Sequence, residues 1–383
     1  MYTKQELDKF YNELSLRITI SDEMFEKARK EYEDLGKWID KQTPNYKAQI
    51  YAQGSFALGT VIKPISEEDD YDIDLVCELD KDYGLTARDY KLNVSKNWLT
   101  SYRKHSKELE EKRRCWHVEY DDVKNFHMDV IPAFYLFGET INITEHDEKT
   151  NKYTYIKSNP KGYISWFFSR CNSVSTRLFD SYTRDQRIRI TEAAEIENIK
   201  RNKLKNPLQK AIMILKRHRD VMFSNDSDNK PISIIITTLA ALSYNDSDSI
   251  CDVLENFFVF TPNYLSDHLV NGVYCVPNPT DETDNFANKW VDYPERRDAF
   301  FDWFNRAKTD LCFSQVKNKD RVTLGKHFKA IIGETVATSI YEKFAKESKE
   351  SIVLNETKVN TKKGTLSKEG NMVIPLNHHH HED

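Results

Sequence analysis

The sequence has little of what marks secreted or membrane proteins. No apolar run approaches the about 20 residues that a helix needs to cross a bilayer, and the opening MYTKQELDKFYNEL has the pattern of an amphipathic helix, unlike a signal peptide. The six cysteines contain no CxxC pair, which argues against a disulfide framework or a zinc ribbon: Cys77, Cys115, Cys171, Cys251, Cys275 and Cys312. We therefore expect a cytoplasmic protein without contact to a membrane.

A basic excess is also missing. The chain has 56 Lys and Arg against 61 Asp and Glu, which gives a net charge of −5. Proteins that coat long nucleic acids usually carry a strong positive excess, so coating of long duplexes is not expected, although a local basic groove is compatible with these numbers. The length of 383 residues allows two domains of about 150 residues or more.

The first half of the chain has the pattern of a mixed α/β domain, which we assign to residues 1–200. The spacing of apolar residues predicts helix over residues 3–40, and a helical pattern returns over 160–200. Between them YDIDLVCEL alternates as a strand does, while CWHVEY and FHMDVIPAF flank the turn-like DDVKN. These last segments predict a hairpin.

Residues 201–347 have the pattern of a helical domain. NPLQKAIMILKRHRDVMF begins with Asn206 as a helix N-cap and Pro207 at the first helical position, and KPISIIITTLAALSY predicts a largely buried helix. In residues 348–383 the apolar positions thin out among Lys and Glu, which predicts a loosely held tail whose HHHH is either native or a purification tag. We expect a ligand-binding cleft between the two domains.

Two acids lie inside a strand that is otherwise apolar and β-branched. Because strand side chains alternate, Asp72 and Asp74 in DDYDIDLV point to the same face. Two carboxylates this close raise each other's pKa unless a cation lies between them, and their hard oxygens suit Mg²⁺ or Mn²⁺. Asp129 in FHMDVIPAF lies on the face opposite the apolar Met128 and Val130. A neighbouring strand could thus complete a cage of three carboxylates for two metal ions.

The alternative for an acid near a strand end is a solvated turn residue. We favour this interpretation for Asp69 and Asp70, which precede the strand, and disfavour it for Asp72 and Asp74, which lie within the β-branched run. For Asp129 taken alone both interpretations stay open.

The segment QGSFALGT precedes the acids by a short connection. Gly54 would let the backbone approach a ligand closely, and Ser55 offers a hydroxyl and an N–H at the start of what is predicted as a short helix, which suits an anion. A Gly–Ser pair alone is common in surface turns. A Gly–Ser pair followed by D-h-D on one strand and h-D-h on a further strand is far more specific.

The full pattern resembles the polymerase-β-like nucleotidyltransferases. In order, QGSFALGT, DDYDIDLV, HMDVIPAF, SNPKGYISWF, NPLQKAIMILKRHRD, KPISIIITTLAALSY and NFANKW resemble the bacterial cGAS/DncV-like nucleotidyltransferases (CD-NTases), over roughly residues 3–345. The resemblance implies an α+β fold. Its catalytic core is polymerase-β-like, with a mixed sheet flanked by helices and a long N-terminal helix, and a helical domain like that of oligoadenylate synthase follows.

The resemblance also implies the chemistry of the site. Two Mg²⁺ or Mn²⁺ ions held by Asp72, Asp74 and Asp129 would clamp the triphosphate of a donor nucleotide, with Asp129 assisting deprotonation of the acceptor hydroxyl. Further residues would bind the nucleotide, with the last two gripping its β- and γ-phosphates: Gln53, Gly54, Ser55, Lys216 and Ser233.

The alternative for Lys216 is a solvated basic helix face. We favour that alternative for its neighbours Arg217, His218 and Arg219.

The implied function is synthesis of a cyclic di- or trinucleotide from NTPs, with ATP, GTP or both as substrates and pyrophosphate as the leaving group. In such anti-phage systems (CBASS) the product acts on an effector, and regulatory CBASS proteins are further partners. No Cys/His cluster has the spacing of the zinc-binding insertion of the animal DNA sensor, and a basic excess is missing, so activation by long double-stranded DNA is not expected. Two alternatives stay open: a nucleotidyltransferase that extends linear oligonucleotides or RNA ends, and a pseudo-enzyme that only binds nucleotide.

Overall fold

The computed structural model describes residues 3–42, 46–66, 71–102, 106–120, 126–171, 195–196, 205–354, 358–360, 365–367 and 372–374. The chain forms two compact units that divide between Asp320 and Arg321. The predicted domain boundary at residues 200/201 lies outside the described residues and stays a prediction.

The first unit contains helices and strands in mixed order. Its helices are α1 Lys4–Arg17, α2 Asp22–Gln42, α3 Gly54–Ala57, α4 Lys96–Thr100, α5 Pro160–Arg170, α6 Pro207–Met222, α7 Ser233–Ser243, α8 Ile250–Asp267, α9 Lys289–Asp292, α10 Pro294–Leu311 and α11 Phe313–Val316, with a π-helical segment Asp89–Ser95 before α4. Its strands are β1 Ala48–Gln53, β2 Tyr71–Leu79, β3 Ser106–Glu111, β4 Trp116–Tyr120, β5 Phe126–Phe137, β6 Thr140–Asp147, β7 Lys152–Ser158, β8 Glu195–Ile196, β9 Leu269–Val270, β10 Val273–Tyr274, β11 Pro277–Asn278 and β12 Asp281–Asn285.

The N-terminal segment forms two helices where the sequence predicted one long helix. Thr3 and Glu6 cap α1 reciprocally, and α1 ends where the β-branched run Ile18–Ile20 begins. Ser21 then accepts a hydrogen bond from the Met24 N–H at 3.1 Å, which starts α2. β-branched residues lose side-chain freedom in a helix and serine favours the cap position, so this short segment interrupts the helix.

The main sheet is mixed, as predicted. Strands β3, β4, β5, β2, β1 and β8 follow one another across it, while β6 pairs with β5 and β7 pairs with β6. Strand β2 is parallel to β5 and antiparallel to β1. The predicted strand over YDIDLVCEL and the antiparallel pairing of CWHVEY with FHMDVIPAF are both confirmed, whereas the predicted turn DDVKN lies outside the described residues.

The two faces of this sheet differ in character. One face carries the large apolar core, to which β2 contributes Ile73 and Leu75 and β5 contributes Met128 and Val130. The opposite face is apolar only along part of β2 and β5, where Val76 packs in a smaller cluster. Nearer the start of β2, the residues on that face are acidic.

Helix α6 begins as the sequence predicted. Asn206 accepts a hydrogen bond from the Gln209 N–H at 2.8 Å, and the Gln209 side chain accepts one from the Asn206 N–H. Gln209 Nε2 also donates to the Leu58 carbonyl oxygen at 2.8 Å. The cap of α6 therefore also holds the loop that follows α3. The predicted helix over 160–200 is present as α5, and its remainder lies outside the described residues apart from Glu195–Ile196, which form β8.

The second unit begins within the predicted helical domain and includes the described part of the predicted tail. It consists of α12 Arg321–Ile332 and α13 Glu334–Val353, followed by β13 Lys358–Asn360, β14 Thr365–Ser367 and β15 Met372–Val373. Strand β13 pairs with both β14 and β15. Backbone pairing of short strands needs few apolar residues, so the thinning of apolar positions did not indicate it. The HHHH segment lies outside the described residues.

Among the helices in the described part of the chain, none combines the length and apolar character required to cross a membrane.

Candidate active site

The three predicted carboxylates come together on one face of the sheet. Asp74 on β2 lies directly opposite Asp129 on β5, and Asp72 lies opposite His127. Because the strands are parallel and in this register, alternation places all three acids on the face away from the main core. Asp69 and Asp70 lie outside the described residues.

Asp74 occupies the most strongly perturbed position of the three. Burial raises the pKa of its carboxyl group well above the ordinary range, the charges of Asp72 and Asp129 raise it further, and Lys216 opposes them. The cost of this repulsion falls if a cation is shared among the carboxylates. Hard carboxylate oxygens so arranged fit a divalent cation.

Gly54 lies against this carboxylate. Its φ is +61°, and a Cβ built on it would be 2.1 Å from Asp74 Oδ2. A side chain at this position would both strain the backbone and displace the carboxylate. On the other side of the same turn, Gln53 is the strand residue paired with Asp74, and Ser55 lies in the four-residue helix α3.

Lys216 approaches the acids from α6. It is buried, and its Nζ donates to the Thr60 carbonyl oxygen at 3.0 Å. Burial and the neighbouring Arg219 lower the pKa of Lys216 to about 8, against the opposing effect of nearby carboxylates. The ammonium group is therefore poised to gain from a bound anion.

Ser233 is the first residue of α7, and Arg219 positions its hydroxyl. Arg219 Nη1 donates to Ser233 Oγ at 2.7 Å and to the Pro231 carbonyl oxygen at 3.0 Å, while its Nε donates to Asp220 at 2.9 Å. Ser233 Oγ keeps a proton to donate to a ligand.

The basic residues after Lys216 are not a solvated face, which corrects the prediction. Arg217, His218 and Arg219 are all buried. Arg217 donates to the Lys63 carbonyl oxygen at 2.6 Å, and His218 Nε2 lies 3.2 Å from Asp310 Oδ2. Neighbouring loops and helices supply partners for these groups, which the sequence of α6 alone could not show.

A cavity of about 320 Å³ joins these groups. Its wall includes all of the predicted site residues except Gln53 and Asp129, which are the two residues paired in register with Asp74. Sequence reasoning missed four further charged residues in the wall: Lys63, Arg219, Asp220 and Lys230. Lys216 and Arg219 are three residues apart and so share a helix face, which was an available signal for Arg219. The two loop lysines follow no such pattern.

Two histidines flank Asp129 on its other side. His117 on β4 pairs with Asp129, and its Nδ1 lies 2.9 Å from Asp129 Oδ1. His127 lies two residues before Asp129, and the centroid of its ring is 4.2 Å from that of His117. Their spacing across the predicted hairpin could have placed them on one face, but no zinc-type motif contains them.

Comparison with known proteins gives this site a family. The model of the Second Messenger Oligonucleotide or Dinucleotide Synthetase domain matches residues 1–172. A c-di-GMP synthase of Roseivirga ehrenbergii is 30% identical over 284 residues, which cover 72% of this chain and 70% of that protein. The cyclic dinucleotide synthase CdnG of Bradyrhizobium diazoefficiens is 22% identical over 300 residues, covering 74% of this chain and 70% of the relative.

The fold agrees with these matches. The solved structure of the Bradyrhizobium diazoefficiens CD-NTase CdnG in complex with GTP superposes with a TM-score of 0.69 at 20% identity, over 88% of this chain and 99% of that one. Together with the 30% identical relative, the match shows that the resemblance extends beyond the carboxylate motif. The chain belongs to the bacterial CD-NTases and is a nucleotidyltransferase.

Proposed function

We propose that this chain makes a cyclic dinucleotide from NTPs, with GTP as the first substrate to test. The observation that carries the proposal is the register of β2 and β5, which sets Asp72, Asp74 and Asp129 beside a cavity walled by Lys216 and Ser233. The choice of GTP rests on the 30% identical relative, which is a c-di-GMP synthase. The part in anti-phage signalling through an effector rests on the sequence resemblance alone.

The donor nucleotide would occupy the cavity with its triphosphate toward α6 and α7. Lys216 and the Ser233 hydroxyl would bind the β- and γ-phosphates, and Arg219 would hold that hydroxyl in place. The absence of a Cβ at Gly54 lets the Asp74 carboxylate approach the turn before α3. A triphosphate here adds negative charge beside Lys216, which favours its protonated form.

Asp72, Asp74 and Asp129 would hold two divalent ions, Mg²⁺ or Mn²⁺. Such ions make an acceptor hydroxyl more acidic and stabilise the charge of the pyrophosphate leaving group. Asp129 pairs with Asp74 and is not part of the cavity wall, and we assign it to the acceptor hydroxyl, as the resemblance implies. That hydroxyl oxygen attacks the α-phosphorus of the donor, pyrophosphate leaves, and a second transfer closes the ring.

The pseudo-enzyme alternative has less support. A protein that only binds nucleotide normally has lost a metal ligand, whereas the three acids and the close approach of Gly54 to Asp74 are all present here. The overall net charge of −5 argues mildly against the alternative of an enzyme acting on RNA ends.

The test is product analysis. The purified chain is incubated with all four NTPs and Mg²⁺ or Mn²⁺, treated with phosphatase and examined by mass spectrometry. We expect a phosphatase-resistant product with the mass of a cyclic dinucleotide containing guanine, and no such product from the Asp72→Asn/Asp74→Asn variant. A ladder of linear oligomers would favour the polymerase-like alternative. Nucleotide binding without any product under either metal would favour the pseudo-enzyme.

A further inference from the structure

A row of titratable side chains crosses three adjacent strands at the site. On the face of β2, β5 and β4 away from the main core, Asp74 pairs with Asp129, and Asp129 pairs with His117. In the neighbouring row Asp72 pairs with His127, which pairs with Glu119. The carboxylates thus continue into imidazoles on the side away from the nucleotide cavity.

The imidazoles are close enough to Asp129 to share an ion with it. One ring nitrogen each of His117 and His127 and one Asp129 oxygen all lie within 4.8 Å of one another. All three side chains are partly buried, which limits competition from water. If a metal ion at Asp129 had oxygen ligands alone, the ring nitrogens of His117 and His127 would lie close to it without coordinating it.

We propose that His117, His127 and Asp129 form a mixed nitrogen–oxygen site for a transition-metal ion. The inference deepens the proposed function, because Asp129 is assigned there to the acceptor-side ion. Imidazole suits Mn²⁺, Co²⁺ and Zn²⁺ better than Mg²⁺, which prefers all-oxygen ligands in octahedral geometry. This end of the carboxylate cluster therefore selects a transition metal, while Asp72 and Asp74 keep an all-oxygen set.

The competing explanation is that His117 only orients Asp129. Its Nδ1 lies 2.9 Å from Asp129 Oδ1, and a hydrogen bond between these atoms would suffice to hold the carboxylate. In that case a bound ion has oxygen ligands alone. The identity of the ligand atoms therefore separates the two explanations.

The experiment measures nitrogen coupling to bound Mn²⁺ by pulsed electron paramagnetic resonance on the full chain without nucleotide. The histidines at 378–381 are replaced by alanine in every sample, because they are imidazoles unrelated to this site. We expect ¹⁴N coupling of the kind given by a metal-bound imidazole, and its loss in the His117→Asn/His127→Asn variant. The Co²⁺ affinity measured by calorimetry should be about 10- to 100-fold lower in the same variant.

Histidine 146 offers a matched control. It is a partly buried histidine on β6 of the same sheet, and its Nδ1 lies 3.3 Å from the Glu111 carboxylate. His146→Asn should leave the nitrogen coupling and the Co²⁺ affinity unchanged. If the unaltered protein saturated with Mn²⁺ shows no nitrogen coupling, the inference is overturned, and this result does not depend on the folding of any variant.

The mixed metal site and the proposed function can fail independently of each other in these experiments. The Asp72→Asn/Asp74→Asn variant should lose turnover and retain the nitrogen coupling. Product formation without nitrogen coupling would leave the proposed function standing and refute the mixed site. Nitrogen coupling without product under any metal would support the mixed site and refute the proposed function.

Discussion

Asp74 is the residue through which the parts of the site interact. Gly54 lies against its carboxylate, Asp129 faces it from the next strand, and Lys216 is the cation that lowers its pKa. A substitution at any of these neighbours therefore changes the position or the charge of the Asp74 carboxylate. The two residue-scale predictions therefore concern Gly54 and Lys216.

Gly54→Ala should lower kcat by at least about 100-fold, because misplacing a catalytic group by about 1 Å has effects of this size. The added Cβ would lie 2.1 Å from Asp74 Oδ2, so the carboxylate must move. The measurement is steady-state product formation together with the melting temperature. Gly84→Ala is the matched control, since Gly84 also has positive φ, +70°, but nothing lies within 4 Å of its Cβ position. Equal activity of both variants would contradict the argument.

Nucleotide affinity should fall as the pH rises above about 8. The pKa of Lys216 is lowered to about 8, so above that pH the free protein must take up a proton to present a charged ammonium to phosphate. Affinity should then weaken by up to about tenfold per pH unit. The measurement is the Kd of a non-hydrolysable GTP analogue with Mg²⁺ between pH 7 and 10. Lys216→Arg, which stays charged, should remove the dependence, and a flat profile for the unaltered protein would disprove it.

At the scale of elements, α6 and the loop after α3 depend on each other. Gln209 in the first turn of α6, and the adjacent Lys216 and Arg217 about two turns later, donate to the carbonyl oxygens of residues 58, 60 and 63. That loop contributes Leu58 and residues 60–64 to the cavity wall. A helix whose cap and basic residues face a loop in this way acts as its support, which links the stability of the helix to the shape of the site.

Arg217→Met should destabilise the protein by about 1–3 kcal/mol, because the carbonyl oxygens of Lys63 and Pro64 lose a charged donor. It should also raise the KM for nucleotide more than it lowers kcat, since the loop lines the cavity without carrying the acids. Denaturant unfolding and steady-state kinetics measure both effects.

The control for that variant lies on the same helix. Lys210 donates to Asn12 of α1 at 2.8 Å, and the hydrogen bonds in the described part of the chain do not join it to the loop. Lys210→Met should affect stability and leave KM unchanged. A rise of KM in both variants would show that general destabilisation, and not the loop, governs nucleotide binding.

At the scale of the whole molecule, the carboxylate cluster makes stability depend on a divalent ion. Without a cation, folding must bury Asp74 and bring it close to Asp72 and Asp129, and the raised pKa of Asp74 reflects both costs, burial first. An ion that binds only the folded state stabilises it, by about 2.7 kcal/mol at 100 times its Kd.

Mn²⁺ or Mg²⁺ should raise the melting temperature by several degrees, and a chelator should reverse the rise. The Asp72→Asn/Asp74→Asn variant should melt higher than the unaltered protein without metal and respond little to added Mg²⁺. Differential scanning calorimetry measures both. Asp226→Asn/Asp228→Asn, an exposed pair at the same spacing, is the control and should respond as the unaltered protein does. An unaltered protein indifferent to the metal would count against the cluster as an ion site.

Local patterns determined much of the fold in advance. The strand Tyr71–Leu79, the start of α6 at Asn206 and Pro207, and the common face of Asp72 and Asp74 all follow from alternation, capping and backbone geometry within a few residues. The interruption between α1 and α2 also has a local cause. The sequence prediction missed it because the helical pattern on both sides received more weight than the three β-branched residues between them.

What the sequence by itself determined is that two acids share one face of a buried strand and that a Gly–Ser turn precedes them. Only the tertiary structure decided that Asp129 lies opposite Asp74, that His117 and His127 flank it, and that Arg219 is buried against Ser233. Alternation is a property of one strand, whereas the register between β2 and β5 and the burial of α6 depend on contacts between residues far apart in the chain.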